Sequence, residues 1–232
     1  MKDFEVFVSM RNEEDNINDF CFDLLGACQQ LGTFSITVID NNSDDNSIKN
    51  LQPLIDSKKI SVIKLDKDVG YTGSVDLAIK SSKSNMTVIV DGDGQFSANY
   101  IAGFLDQLRE GHDLVLPVRT NLIGSVIRRF ASRVLVFLCR RMLGFAGPDI
   151  NGGIRALSGN FIYQYISIGQ GFRLANPALF YQARMQNLSI SFVTISPKDR
   201  NSGASFIPWG KPWRLFIESV REINVIRRRF HA

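Results

Sequence analysis

The chain has 232 residues, of which 44% are hydrophobic, and carries a net charge of +4. This size fits one large α/β domain, and the apolar content excludes a largely disordered chain. The longest apolar run near the middle, residues 134–139, is far shorter than the roughly 20 residues that cross a bilayer. The N-terminus lacks the apolar segment of a signal peptide. Three cysteines in no metal or redox spacing predict buried, reduced thiols, so we expect a cytoplasmic protein, soluble or attached to the membrane surface.

The charge is divided unevenly along the chain. Residues 1–118 contain 10 Lys/Arg and 19 Asp/Glu, a net charge of −9, whereas residues 119–232 contain 17 and 4, a net charge of +13. An acidic half is suited to holding a metal ion, and a basic half to meeting phosphates or an anionic membrane. Nucleic acid is the rival partner for the basic half, but the sequence contains no recognised nucleic-acid-binding motif, so we expect none.

Strands and helices alternate along the first half of the chain. The apolar patterns predict strands at 4–9, 36–39, 60–65, 88–90 and 114–118, and helices at 17–28, 48–55, 70–79 and 99–108. We expect Asn12 to cap the first helix, because acidic residues follow it directly. Such alternation implies right-handed βαβ crossovers. The predicted fold class is α/β, with a Rossmann-like, mainly parallel central sheet flanked by helices.

Polar clusters follow three of these strands, at residues 11–15, 40–45 and 91–95. Since the carboxyl ends of parallel strands meet at one sheet edge, we expect the three clusters to converge there. The third contains Asp91, Asp93 and Gln95, whose oxygens suit Mg²⁺ or Mn²⁺. A calcium-binding EF-hand loop is excluded because Ile89 and Tyr100 would occupy its carboxylate positions. A structural Asp-Gly turn is the remaining alternative.

Two other features of the sequence carry no independent chemistry. The stretch Gly70–Ser74 lacks both the Lys-Ser/Thr ending of a P-loop and the three-glycine spacing of a dinucleotide site. We therefore interpret it as the start of a helix. His112 and His231 are the only histidines, and neither belongs to a credible Ser/His/Asp set.

The second half is basic and partly amphipathic. It predicts an arginine-rich helix over 126–141, a glycine-rich turn at 149–155 leading into a short strand, a helix over 177–186, a strand at 190–195 and a polar loop at 196–205. A C-terminal helix follows and ends in the basic residues 227–229. The segments 128–141 and 209–230 combine apolar and arginine-rich faces, as helices at a membrane interface do. The alternative is a pair of ordinary packing helices with a solvated basic face.

Seven motifs occur in a fixed order, and together they cover roughly residues 4–206. They are Val8–Glu14, Val38–Asp45, Gly70–Ala78, Asp91–Gln95, Leu116–Arg119, Asp149–Arg155 and Lys198–Ser205. This ordered set resembles the family-two glycosyltransferases of the GT-A fold, most of all the branch of dolichol-phosphate-mannose synthases and polyprenyl-phosphate glycosyltransferases. The chain departs from the family at Ser9-Met10, where a proline and an aromatic residue are more usual, and at Asn41, where relatives have an acid.

The resemblance implies a GT-A-like domain over residues 1–206 and a role for particular residues within it. Residues 1–118 would bind the nucleotide-sugar and metal, 119–206 the acceptor, and 207–232 would form a basic amphipathic helix. Glu13 and Asp40 would hold the nucleoside, Asp91 would contact the nucleotide or its metal, and Asp93 with Gln95 would ligate a divalent cation. Phosphates of donor or acceptor would meet Arg119, Arg133 and Arg200, with Ser202 and Ser205 on a loop that closes over the donor.

The predicted function is metal-dependent, inverting transfer of a sugar from a UDP- or GDP-linked donor to a polyprenyl phosphate at the cytoplasmic face of the membrane. An alcohol acceptor needs a carboxylate base, and in many saccharide-acceptor relatives that base lies in the segment matching residues 172–177. Here no acid occurs between Asp149 and Asp199, which favours a phosphate acceptor and leaves Asp149 as the candidate base otherwise. The alternatives are a glycosyltransferase with a saccharide hydroxyl acceptor in cell-surface polysaccharide synthesis and a non-catalytic nucleotide- or lipid-binding module.

Overall fold

The computed structural model describes residues 2–120, 126–145, 147, 152–169, 174–196 and 212–230, with the backbone alone at 126–131 and 212–216. Its strands are β1 (Phe4–Met10), β2 (Phe34–Asp40), β3 (Ser61–Lys64), β4 (Met86–Asp91), β5 (Leu114–Arg119), β6 (Ile154–Ser158) and β7 (Ile190–Ile195). Its helices are α1 (Ile17–Gln29), α2 (Ser47–Asp56), α3 (Gly70–Ser81), α4 (Tyr100–Arg109), α5 (Val126–Leu143), α6 (Gly159–Tyr163), α7 (Ala175–Met185) and α8 (Pro212–Phe230).

The strands form one sheet in the order β3-β2-β1-β4-β6-β5-β7. All neighbouring strands are parallel except β6, which runs antiparallel to both β4 and β5. The strand order reverses between β1 and β4, and such a reversal opens a crevice at the carboxyl ends of the strands. The register brings those ends level, because Ser9 pairs with Asp91 and Met10 pairs with Asp40.

Helices cover both faces of the sheet and enclose two hydrophobic clusters. One cluster lies under α1, α2 and α4, and the other lies under α3, α5, α6, α7 and α8. The central strands are buried on both faces, as their nearly continuous apolar sequences require. Cys21, Cys28 and Cys139 are buried, reduced thiols, as predicted, and burial raises the pKa of each to about 12.

The predicted α/β organisation agrees with this fold, but the expected capping role of Asn12 was wrong. Helix α1 begins at Ile17, five residues after Asn12, which has a left-handed backbone with φ of 55°. The amide of Asn12 is used elsewhere, because its Oδ1 accepts a hydrogen bond from the N–H of Asp44 (3.1 Å). Its own N–H donates to the hydroxyl of Ser43 (2.9 Å), so Asn12 joins two loops instead of capping a helix.

Candidate functional site

A cleft of about 270 Å³ lies at the reversal between β1 and β4. It is formed by the ends of β1 and β4, by residues that follow β1, β2 and β4, and by Asp68 and the start of α3. The described residues that line it are Ser9, Met10, Arg11, Glu13, Asn41, Asp68, Gly70, Tyr71, Ser74, Asp91, Gly92 and Asp93. Residues from all three predicted polar clusters therefore meet here, as the parallel-strand pattern indicated.

The loops after β1 and β2 are tied together by side-chain hydrogen bonds. The carboxylate of Glu14 accepts hydrogen bonds from the backbone N–H and the side-chain amide of Asn46, both at 2.9 Å. In return, Asp45 accepts the N–H of Glu14 (3.1 Å) and the hydroxyl of Ser47 (2.6 Å). Burial alone would raise the pKa of Asp45, but these hydrogen bonds lower it overall. Glu14 and Asp45 thus hold the two loops together and are not among the described residues that line the cleft.

Asp40 belongs to this framework and does not line the cleft. It is fully buried, and its Oδ1 accepts hydrogen bonds from the backbone N–H (3.0 Å) and the hydroxyl of Ser43. The predicted contact between Asp40 and a nucleoside stays a prediction. The next residue, Asn41, lines the cleft in its place.

Asn41 connects β2 to the start of α3. Its amide donates to Asp68 Oδ1 (2.7 Å), and its Oδ1 accepts the N–H of Val69 (2.9 Å). Asp68 also accepts the N–H of Gly70 (2.8 Å) and forms an ion pair with Arg11 across the cleft. An aspartate at position 41 would set a second carboxylate against Asp68, which explains why an amide suits this position.

The two acids of the third cluster occupy the end of β4 and the turn beyond it. Asp91 and Asp93 both line the cleft, and Gly92 between them packs so tightly that an added Cβ would lie 2.8 Å from Ile17 Cδ1. Gly94 has φ of +69°, a conformation that favours glycine. The N–H of Gln95 donates to Asp93 Oδ1 (3.1 Å), but Gln95 is not among the described residues that line the cleft.

These acids fit a divalent cation only in part. Among the described residues, no three His, Cys, Asp or Glu side chains lie close enough to hold a metal ion by themselves. Asp91 and Asp93 supply two hard carboxylate ligands, and Mg²⁺ and Mn²⁺ commonly complete their shells with water and substrate phosphates. The donor set therefore fits a cation that is shared with a phosphorylated substrate.

Sequence reasoning missed Arg155, a fully buried arginine on β6. It donates a hydrogen bond to the hydroxyl of Tyr71 and approaches the carboxylate of Asp91. Burial and the Asp91 carboxylate raise the pKa of the Tyr71 hydroxyl, although Arg155 opposes the shift. The available signal was an arginine inside the apolar strand sequence Ile154–Ser158, where a charge needs a partner.

Of the remaining predicted site residues, one lines the cleft, and the others lie away from it or outside the described residues. Glu13 lines the cleft, and its Oε2 accepts a hydrogen bond from the amide of Asn16 (3.1 Å). Arg119 ends β5 and Arg133 is exposed on α5, and neither is among the described lining residues. The other four, Asp149, Arg200, Ser202 and Ser205, lie outside the part of the chain that the structure describes.

No described helix combines the length and the apolar character needed to cross a bilayer.

Comparison with known proteins identifies relatives of this chain. The family model described as glycosyl transferase family 2 matches residues 5–163. Undecaprenyl-phosphate 4-deoxy-4-formamido-L-arabinose transferase from Pseudomonas fluorescens is 25% identical over 154 residues, which cover 65% of this chain and 45% of the relative. The enzyme of that name from Pectobacterium carotovorum is 25% identical over 67% of this chain and 49% of its own length. The chain thus spans about half the length of these curated relatives.

Two further similarities extend over nearly the whole chain. An uncharacterized glycosyltransferase from Synechocystis is 21% identical over 97% of this chain and 70% of the relative. Glucosyl-3-phosphoglycerate synthase from Mycobacterium tuberculosis, solved with Mn²⁺, UDP-glucose and phosphoglyceric acid, superimposes with a TM-score of 0.71 at 17% identity, covering 99% of this chain and 80% of that one. Its complex with Mg²⁺ and UDP also gives a TM-score of 0.71. The structural likeness confirms the predicted fold class.

Proposed function

The chain belongs to glycosyl transferase family 2, and we propose on that premise that it transfers a sugar from a nucleoside-diphosphate donor to a polyprenyl phosphate. Family membership confirms the resemblance drawn from the ordered motifs and the expectation of a glycosyltransferase. The lipid acceptor is supported by the relatives named as undecaprenyl-phosphate transferases. A donor with a bound divalent cation is supported by the Mn²⁺ and UDP complexes of the structural neighbour.

The observation that carries the proposal is the convergence of Asp91 and Asp93 with the polar ends of β1 and β2 in one cleft. The diphosphate would lie at the Asp91 and Asp93 end, and the nucleoside would lie toward Glu13 and Asn41. Asp93 and Asp91, with Gln95 from the same turn, would hold the cation. When bound, a divalent cation offsets the negative charge that develops on a departing diphosphate. Whether the base is uracil or guanine depends on contacts that Glu13 and Asn41 would make.

A phosphate acceptor fits the chemistry of the second half better than an alcohol does. A phosphate oxygen is already anionic and attacks without a base, whereas an alcohol needs one near neutral pH. In the segment 172–177, where many saccharide-acceptor relatives have the base, this chain has Asn176 at the start of α7. The amide of Asn176 is 3% exposed and donates to the carbonyl of Gly152 (2.9 Å). An amide cannot accept the proton of an alcohol. In-line attack by phosphate on the anomeric carbon would invert its configuration, and Arg119, Arg133 and Arg200 remain the candidate phosphate ligands.

The exposed face of α5 and α8 would bring the enzyme to its lipid acceptor. On α5, Arg133, Phe137, Arg140 and Arg141 are exposed at spacings that place them on one side of the helix, and the Phe137 side chain is 65% exposed. On the neighbouring helix α8, Ile217, Arg221, Val225 and Arg228 repeat the pattern. Exposed apolar groups among arginines suit an anionic membrane surface. We therefore propose that the protein lies peripherally at the cytoplasmic face of the membrane.

Substitution of Asp93 tests the proposed reaction. We expect Asp93→Asn to fold normally and to lose transfer by roughly 100-fold or more, because an amide holds a cation and a diphosphate less well than a carboxylate. Transfer would be measured with each of UDP- and GDP-linked sugars in the presence of Mn²⁺. The control is Asp106→Asn, which removes an exposed carboxylate paired with Arg109 on α4. A wild-type protein that is inactive with every donor would support a non-catalytic binding module instead.

A further inference from the structure

Among the described residues, Arg155 has the largest side chain that is completely buried, and it lies directly behind the cleft. It occupies the position on β6 opposite Ile89 of β4. Ile89 belongs to the hydrophobic cluster under α3 and α7, and Asp91 follows it two residues later on the same face of the strand. Burying a charge among apolar side chains is costly unless the charge has partners, so packing alone does not account for this arginine.

The partners of Arg155 are components of the cleft. Its Nη2 donates to the hydroxyl of Tyr71 and to the carbonyl of Gly152 (3.3 Å), and lies 3.8 Å from Asp91 Oδ1. The guanidinium also lies over the Tyr71 ring, with its central carbon 5.3 Å from the ring centroid. Within the described ranges, Nε and Nη1 have no hydrogen-bond partner. The buried guanidinium of Arg155 therefore connects the end of β4 with the first turn of α3.

We propose that Arg155 is a positioning residue for the donor: it fixes the Asp91 carboxylate and the Tyr71 ring against each other from behind, so that Asp91 is already oriented when the cation and diphosphate arrive. The proposal rests on the proposed function, because it assigns Asp91 to donor binding. Arg155 cannot be a direct donor ligand in this arrangement, since its exposed fraction is 0% while that of the Asp91 side chain is 23%.

The geometry also explains why the position needs arginine. The planar guanidinium contacts the hydroxyl, the carbonyl and the carboxylate with one group, and it stacks on the aromatic ring at the same time. A lysine would keep the charge but lose the planar group that lies over the Tyr71 ring. A methionine would fill much of the volume and lose both the charge and the hydrogen bonds.

The test measures Mn²⁺ and nucleotide binding by Arg155→Met and Arg155→Lys. We expect Arg155→Met to weaken the affinity for Mn²⁺ in the presence of the matching nucleoside diphosphate, UDP or GDP, by at least tenfold. Arg155→Lys should recover part of that loss. The electron paramagnetic resonance spectrum of bound Mn²⁺ should also change in Arg155→Met, because a misoriented carboxylate alters the ligand field.

The matched control is Leu157→Ala on the same strand. Leu157 is fully buried two residues from Arg155 and packs in the same hydrophobic cluster. We expect Leu157→Ala to lower the melting temperature but to leave the Mn²⁺ affinity and spectrum unchanged. A loss of affinity in Leu157→Ala equal to that in Arg155→Met would reduce Arg155 to a structural residue and overturn the proposal.

A double-mutant cycle with Tyr71→Phe makes the test independent of stability. If Arg155 acts through Tyr71 and Asp91 as one unit, Tyr71→Phe should weaken Mn²⁺ binding severalfold alone and add little in the Arg155 variant. If Arg155→Met does not fold, Arg155→Lys takes its place in the cycle. Additive effects, or wild-type affinity in a folded Arg155→Met, would overturn the inference. A wild-type protein that binds neither Mn²⁺ with UDP nor Mn²⁺ with GDP would instead overturn the proposed function on which the inference rests.

Discussion

At the scale of single residues, the contact between Gly153 and Asp91 leaves no room for a side chain. The carbonyl of Gly153 accepts the N–H of Asp91 (2.7 Å), and a Cβ at position 153 would lie 2.3 Å from Asp91 Oδ2 and 2.6 Å from Phe96 Cε2. We expect Gly153→Ala to displace the Asp91 carboxylate, to cost about 1–3 kcal/mol of unfolding free energy and to weaken Mn²⁺-dependent nucleotide binding. Chemical denaturation and calorimetric titration would measure the two effects.

Gly26→Ala provides the matched control for this glycine substitution. Gly26 lies inside α1, and a Cβ there would meet nothing within 4 Å. An alanine in that helix should be neutral or stabilise the fold by about 0.5–1 kcal/mol. Equal binding losses in both variants would show that the contact at Asp91 is not the cause.

The sequence predicted the acids of the cleft better than the groups that hold them. Asp91 and Asp93 could be predicted from the sequence because two acids follow an apolar strand closely, a pattern that marks the carboxyl edge of a parallel sheet. Asp40 satisfied the same rule, yet its carboxylate is turned inward to Ser43. Local sequence does not distinguish an acid that faces a cleft from one that supports a loop. The pairings of Asn41 with Asp68 and of Arg155 with Asp91 join residues 27 and 64 positions apart, which no local pattern reveals.

At the scale of the elements, α3 is anchored to the segment before α7 through Asp76. The Oδ1 atom of Asp76 accepts the hydroxyls of Tyr165 (2.7 Å) and Ser167 (2.6 Å), and its Oδ2 lies 2.6 Å from the ammonium of Lys80. This anchor holds the helix whose first turn carries Tyr71 and forms one wall of the cleft. Burial alone would raise the pKa of Asp76, but Lys80, Ser167 and Tyr165 lower it overall.

Asp76→Asn should therefore destabilise the protein in a pH-dependent way. Because the folded pKa lies below the ordinary value of 3.8, the ionised carboxylate stabilises the fold above that value, and this stabilisation is lost as pH falls through the folded pKa. We expect a cost of about 1–3 kcal/mol at pH 7 that shrinks toward pH 3. Denaturant titrations at several pH values measure it, and a cost that stayed constant with pH would refute the role of the charge. Asp106→Asn, at an exposed ion pair, should cost at most about 0.5 kcal/mol.

The sequence predicted most elements but not the direction of β6. The strands were recognisable because their apolar runs are bounded by turn residues, and the alternating helices indicated parallel neighbours. The five residues of β6 carry no sign of their direction, since orientation depends on the path of the chain from β5. The short helix α6 was also missed, because five residues are too few to show helical periodicity, although Ser158 caps it by accepting the N–H of Phe161 (3.1 Å).

At the scale of the whole molecule, the acidic and basic halves share one sheet but present different surfaces. The exposed arginines of α5 and α8 lie on helices that pack against each other, and Ile223 and Ile226 of α8 are buried in the core. The proposed division at residue 206 falls outside the described residues. The burial of Ile223 and Ile226 shows that α8 is docked on the domain, and we propose that its exposed basic side meets the membrane.

Arg140→Ala combined with Arg141→Ala should weaken binding to anionic vesicles. Each basic residue near a membrane surface contributes about 1 kcal/mol, so the pair should lower the partition coefficient roughly 30-fold. Sedimentation with phosphatidylglycerol-containing vesicles would measure this, with neutral phosphatidylcholine vesicles for comparison. The control replaces Lys49 and Lys59, which are exposed on the acidic half. If the wild-type protein did not bind anionic vesicles at any salt concentration, the proposal that α5 and α8 bind a membrane would be refuted.

The proposed transfer to a lipid phosphate is tested most directly by following the sugar itself. Purified protein would be incubated with Mn²⁺, undecaprenyl phosphate and radiolabelled UDP- or GDP-linked sugars, and the label would then be partitioned between water and organic solvent. We expect label to enter the organic phase only with lipid phosphate present, and Asp93→Asn to abolish the transfer. Label that moves instead to a water-soluble saccharide, with none in the lipid extract for any donor, would contradict the proposal.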